Sequence, residues 1–141
     1  MAAEFSSTKE FREVMDRVFT LMSEDADMGP KLRDADVPQR FEFEDLDQVV
    51  NIRAARDGED GCLVWKWTDD IDWKPKVQMR MSSHTANRYF QGKENIPLAI
   101  AKRKIKTGGD IKAALALIPI TKSVYAQFSA VVEAEYPHLK V

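Results

Sequence analysis

The chain has 141 residues, 44% of them hydrophobic and 31% charged, with a formal net charge of −2 at pH 7. This length fits a single domain over 1–141 that buries about two thirds of its unfolded surface, and the near-neutral balance excludes a global electrostatic drive towards nucleic acid. The one cysteine, Cys62, excludes an intrachain disulfide and fits a reducing cytoplasm, MAAEFSSTKEF lacks the apolar stretch of a secretion signal, and no apolar run reaches the roughly 20 residues of a bilayer span.

In chain order, Ser7 and Glu10 stand at capping-box spacing, and Phe11, Val14, Met15, Val18, Phe19 and Met22 follow at helical intervals. Asp25 to Asp27 ends that helix. A short second one is expected over Lys31 to Ala35, with Pro30 at its start and Pro38 closing it. Strands come next. Phe41 and Phe43 alternate with Arg40, Glu42 and Glu44, and Val50, Ile52 and Ala54 share a face opposite Asn51 and Arg53. Asp57-Gly58 to Gly61 is a hairpin signal. Leu63, Trp65 and Trp67 then alternate with Val64 and Lys66, and Val77, Met79 and Met81 with Gln78 and Arg80. Such alternation describes a sheet covered on one side and wet on the other.

Ser82 or Ser83 caps a helix that runs to Gln91 and stops at Gly92. Asn95-Ile96-Pro97 opens another. Lys104 to Lys106 reads as a short fifth strand around Ile105, Gly108-Gly109 as a turn, and Asp110 as the cap of a helix with Ile111, Ala114, Leu115 and Ile118 inward. Pro119 interrupts it. A final helix from Thr121 turns Val124, Phe128, Val131 and Val132 inward, and Pro137 stops it. The expected fold is α+β: a five-stranded mixed sheet with helices packed on one face. Its order is helices, a three-strand meander, a crossover, a fourth strand, two helices that also imply a crossover, a fifth strand and closing helices.

Residues 89–110, YFQGKENIPLAIAKRKIKTGGD, carry a resemblance. Phe90, Gly92, Lys93, Asn95, Pro97, Ala101, Lys104, Ile105, Gly108 and Asp110, with the strand and cap of Val77 to Ser83, resemble the sterol carrier protein type 2 family, over about residues 8 to 120. The second glycine at the corner, the segment Ile120 to Val141 and the acidic-aromatic loop Thr68 to Trp73 depart from that pattern. The resemblance implies a hydrophobic tunnel between sheet and helices that takes a sterol, fatty acid, acyl-CoA or phospholipid, generally without catalytic residues; no metal or cofactor is expected. HLKV at the end is not the peroxisomal signal found in many eukaryotic members.

Other chemistry is weakly represented. The histidines, His84 at a helix start and His138 near the end, have no nucleophile beside them in sequence, and Cys62 reads as an inert thiol. Asp69, Asp70 and Asp72 lack the spacing of a calcium loop and read as a solvated acidic loop. KIKTGGDIK could offer amides to a phosphate, but Asp110 occupies the cap, and a glycine turn is the preferred reading. The basic run Lys102, Arg103, Lys104 and Lys106 either attracts anionic headgroups in a transient membrane contact or protects a solvated edge strand; the second is preferred.

The expected function is therefore non-catalytic binding and transfer of a hydrophobic small molecule in the cytoplasm. The ligand-binding residues expected are Met22, Trp65, Trp67, Met79, Met81, Phe90, Ile96, Ile100, Leu115, Ile118 and Phe128. Methionine supports this because its flexible thioether adapts to varied apolar guests. The final helix is either a lid on the tunnel or plain packing. The alternative function is an accessory subunit that presents an apolar substrate to a partner enzyme.

Overall fold

Residues 4–141 are described by a computed structural model. Helix α1 (Thr8–Glu24) starts where the Glu10 amide donates to Ser7 Oγ at 3.0 Å, and Phe11, Val14, Met15, Val18, Phe19 and Met22 are all buried. Asp25 Oδ1 then accepts the amides of Asp27 and Met28. Those bonds organise the next turn, so α2 (Met28–Ala35) begins at Met28 rather than at Lys31. Strands β1 (Gln39–Phe43), β2 (Gln48–Ala54), β3 (Leu63–Lys66) and β4 (Val77–Met81) follow. Next come α3 (Ser83–Phe90) and α4 (Ile96–Ala101), capped by the side chains of Ser82 and Asn95. Strand β5 (Lys106–Gly109) leads to α5 (Ile111–Glu135), which Asp110 caps, and a short 3-10 turn (Pro137–Leu139) ends the chain.

The five strands form one mixed sheet in the order β3-β2-β1-β4-β5. β1 runs parallel to β4, and every other neighbouring pair is antiparallel. Phe41 stands opposite Val50 on one side and Met79 on the other, and Ile52 opposite Trp65. Residues opposite one another point to the same side of a sheet. One face therefore carries Phe41, Phe43, Val50, Ile52, Val77, Met79 and Met81, all buried beneath the helices. The rings of Phe11, Phe19, Phe43, Trp67 and Phe90 interlock there, largely edge to face, as ring quadrupoles favour.

Three expectations are corrected. The fifth strand is Lys106–Gly109, not Lys104 to Lys106: Gly108 and Gly109 do not turn the chain but pair with Gln78 and Val77. A Cβ on Gly109 would overlap the Lys76 carbonyl oxygen, so only glycine lets the two backbones come so close. Secondly, α3 and α4 join antiparallel neighbours. The connection that makes a parallel pair is the one expected between the meander and the fourth strand, the segment between β3 and β4, which passes from the β3 edge of the sheet to the far side of β1. Thirdly, α5 runs unbroken through Pro119. Proline lacks the amide that would bond to Leu115, yet the Thr121 hydroxyl donates to the carbonyls of Leu117 and Ile118 and steadies the following turn.

The second face of the sheet is not simply wet. Between β3 and β4, Asp69 accepts two bonds from Arg40 on β1, both at 2.9 Å, and one from Asn51 Nδ2 on β2. Trp73 lies against the Arg53 guanidinium, 5.0 Å from its ring centroid, and near Lys66. The acidic-aromatic loop Thr68 to Trp73 thus straps down the polar face, and Asp69 is an anchor rather than a solvated charge. Hydrogen bonding from Arg40 outweighs burial and holds the Asp69 carboxyl down at about 2.

Candidate functional site

An apolar cavity lies between the sheet and the helices. α1 supplies Phe19 and Met22, α2 Leu32, the sheet Phe41, Ile52 and Leu63, α3 Tyr89 and Phe90, and α5 Leu117 and Val124. The amphipathic phase of each helix turns these side chains inward, and the two-residue period of the strands supplies the floor. The polar side chains on the wall are the Gln39 amide, the Thr121 hydroxyl and the phenols of Tyr89 and Tyr125; the neighbouring Arg53, directed to the second face, is committed to Glu59 through a two-pronged pair at 2.6 and 2.7 Å. Burial pushes both phenols above their ordinary value, so they stay protonated and neutral. The wall therefore offers an apolar surface with a few uncharged hydrogen-bonding groups.

The enclosed room is about 40 Å³, although the hollow and the open space at its mouth together come to about 650 Å³. Only the first figure measures enclosed space, and it suits a few water molecules rather than an acyl chain or sterol nucleus. The aromatic cluster fills much of the volume that a lipid-sized tunnel would need. Tyr125 of α5, which lines the cavity, packs on Gly92, the positive-φ residue that ends α3.

Of the residues expected at the site, Met22 and Phe90 line this cavity. Met79, Met81, Ile96 and Phe128 are buried in the surrounding core, and Ile100 and Ile118 pack partly buried against it. Trp65 and Trp67 are tethered: both indoles donate to Asp16 Oδ1 on α1, at 3.0 and 2.7 Å. Leu115 is a correction. It is 36% exposed on the outer side of α5, because the inward stripe is Ala114, Leu117, Val124, Phe128 and Val132. α5 is apolar nearly all round, so its period does not reveal which leucine faces the core. Leu117 was missed for that reason, whereas Val124 already reads as inward and Phe19, Phe41 and Ile52 stand on apolar faces evident in the sequence.

His138 Nε2 lies 2.8 Å from Glu10 Oε1 near the surface, where hydrogen bonds from His138 and Ser6 outweigh burial and lower the Glu10 pKa. Cys62 is half-buried ahead of β3. Among the described residues no three His, Cys, Asp or Glu side chains stand together as metal ligands.

The chain matches no protein-family model and no curated protein. Solved structures do match. The stereoselective inverting sec-alkylsulfatase from Pseudomonas sp. superposes with a TM-score of 0.61 at 23% identity over 75% of this chain. The chain spans only 16% of that enzyme's length. The sterol carrier protein domain 2 of Helicoverpa armigera matches with a TM-score of 0.55 at 15% identity, covering 89% of this chain and 95% of its own. The ubiquinone synthesis protein UbiJ-SCP2 gives 0.57 at 8% identity, with 86% and 95% coverage. The fold is that of sterol carrier protein 2 domains.

Proposed function

We propose that the chain is a non-catalytic carrier that binds a hydrophobic ligand between sheet and helices and releases it elsewhere in a reducing cytoplasm. The observation that carries this reading is the cavity: an apolar wall from α1, α2, α3, α5 and three strands, with neutral polar groups and no unpaired charge. The sterol carrier domains that share the fold bear the name of such a cargo. Burial of an apolar guest contributes about 25 cal/mol per Å² removed from water, so few polar contacts are required.

Because the enclosed room is small, entry requires α5 to move outward from the sheet. Pro119 leaves its hydrogen-bond ladder one rung short where the helix crosses the cavity. An opened cavity would enlist Met79, Met81, Ile118 and Phe128 beside Met22 and Phe90, with Trp65, Trp67, Ile96 and Ile100 at its margins. Tyr89, Tyr125 and Gln39 favour a ligand with an uncharged polar group, such as a hydroxyl or carbonyl, over a carboxylate.

Native mass spectrometry of the purified protein tests the reading. A co-purifying lipid, displaced by an excess of a fluorescent sterol or fatty alcohol, is expected. A protein that retains none and takes up neither probe would refute it. A second reading, a subunit that presents an apolar substrate to an enzyme, draws on the alkylsulfatase, in which the same fold forms part of a longer chain. Co-purification of an enzyme would favour it.

A further inference from the structure

The large hydrophobic side chains exposed among the described residues are Leu98 at 48%, Ile111 at 38% and Leu115 at 36%. All three belong to α4 and the first turns of α5. In the chain these helices immediately precede and follow β5, the edge strand of the sheet. None of the three lines the cavity, so cargo would not cover them.

α5 continues the pattern. It is long and apolar enough to cross a bilayer by length and composition, with a mean hydropathy of 1.4 over its best window, yet only 22% of that window is buried. Its exposed side reads Ile111, Lys112, Leu115, Ala116, Pro119, Lys122, Ser123, Ala126 and Ala130, without a carboxylate before Glu133. Its inward stripe is committed to the core, so the helix is placed to lie along a surface rather than to span one.

The charge around this patch is one-sided. Residues 95–132 hold Lys102, Arg103, Lys104, Lys106, Lys112 and Lys122 against the single carboxylate of Asp110. Lys104 pairs with Glu94, Lys106 with Glu44, and Asp110 with Lys76. Lys102, Arg103, Lys112 and Lys122 have no carboxylate partner among the described residues. In a chain of net charge −2, four unpaired cations beside exposed leucine and isoleucine complement a surface that is itself anionic and oily.

We infer that the α4–β5–α5 edge docks on anionic lipid bilayers, with Leu98, Ile111 and Leu115 entering the headgroup layer and Lys102, Arg103, Lys112 and Lys122 meeting lipid phosphates and carboxylates. This rests on the carrier reading for its purpose: the helix that roofs the cavity is the one held against the membrane.

Co-sedimentation with lipid vesicles tests it. The full chain is expected to bind phosphatidylcholine vesicles that contain phosphatidylserine at low salt. It should bind pure phosphatidylcholine weakly and dissociate as salt rises. A Lys102→Glu, Lys112→Glu variant is expected to lose about fivefold in affinity for each charge removed, and more for the reversal. A Leu98→Ser, Ile111→Ser variant should dissociate faster while keeping its circular dichroism and its uptake of a fluorescent fatty alcohol. Equal binding to both vesicle types, no binding to either, or a patch-dependent dimer in sedimentation velocity would overturn the proposal. Vesicle binding by a protein that takes up no alcohol would sink the carrier reading and leave the docking surface standing.

Discussion

Tyr125 rests on the backbone of Gly92: a Cβ at position 92 would lie 2.9 Å from the ring carbons Cγ and Cδ2. This contact joins α5 to the end of α3 beside the cavity that Tyr125 lines. Gly92 also has a φ of +74, where a side chain is strained. Gly92→Ala is therefore expected to cost roughly 2 kcal/mol or more in urea unfolding, and to push α5 outward. Faster uptake of a fluorescent alcohol should accompany that cost. Lower stability with unchanged uptake would show that the contact does not guard the mouth.

Pro119 makes the reverse case. Pro119→Ala restores an amide that can reach the Leu115 carbonyl, and alanine is the better helix former by about 3 kcal/mol, partly offset by a freer unfolded chain. A net gain of about 1–3 kcal/mol is expected, with slower ligand exchange by stopped-flow fluorescence. An unchanged rate would mean that α5 does not bend at Pro119 to admit cargo.

Asp16 accepts both indole N–H groups, and these bonds hold β3 and the residue after it against α1. Asp16→Ala leaves two part-buried donors without their acceptor and is expected to cost about 1–3 kcal/mol, since water can replace some of what is lost. Asp16→Asn keeps one acceptor oxygen and should cost less. Equal stability of all three proteins in denaturant titration would remove the tether from the account.

The strap over the second sheet face gives a pH dependence. The Asp69 pKa is depressed in the fold, from an ordinary 3.8 to about 2. A depressed carboxylate contributes stability that is fully present above its unfolded value and disappears as pH falls through the folded one. Hydrogen exchange across 67–76 is thus expected to accelerate as pH drops from about 4 towards 2, after allowance for the intrinsic pH effect. Asp69→Asn should exchange faster already at neutral pH and show no further change in that window. A wild-type profile without an inflection there would rule out Asp69 as the anchor.

Much of this architecture follows from residues close together in the chain. Ser7, Ser82, Asn95 and Asp110 each cap the helix that starts beside them, because the amide that a cap satisfies lies within a few residues. The alternation of Phe41, Phe43, Val77, Met79 and Met81 with polar neighbours announces strands with one buried face, since the backbone pleat imposes a period of two. The residues that carry the resemblance, Val77 to Ser83 and 89–110, lie where caps, glycines and alternation are densest, and the sterol carrier fold agrees with it.

What the chain could not disclose by itself depends on partners far along it. Asp69 meets Arg40 across 29 residues and Trp67 meets Asp16 across 51, and neither pairing leaves a periodic trace. α5 is apolar on nearly every side, so only the packing of the sheet beneath it decides that Leu117 faces the cavity while Leu115 faces out. The glycines of β5 look like a turn until Lys76 lies alongside them. Hydrogen bonding and hydrophobic period act over one or two turns of chain and can be read there. The face a nearly uniform helix buries, and the room left beneath it, are settled only when the whole chain closes on itself.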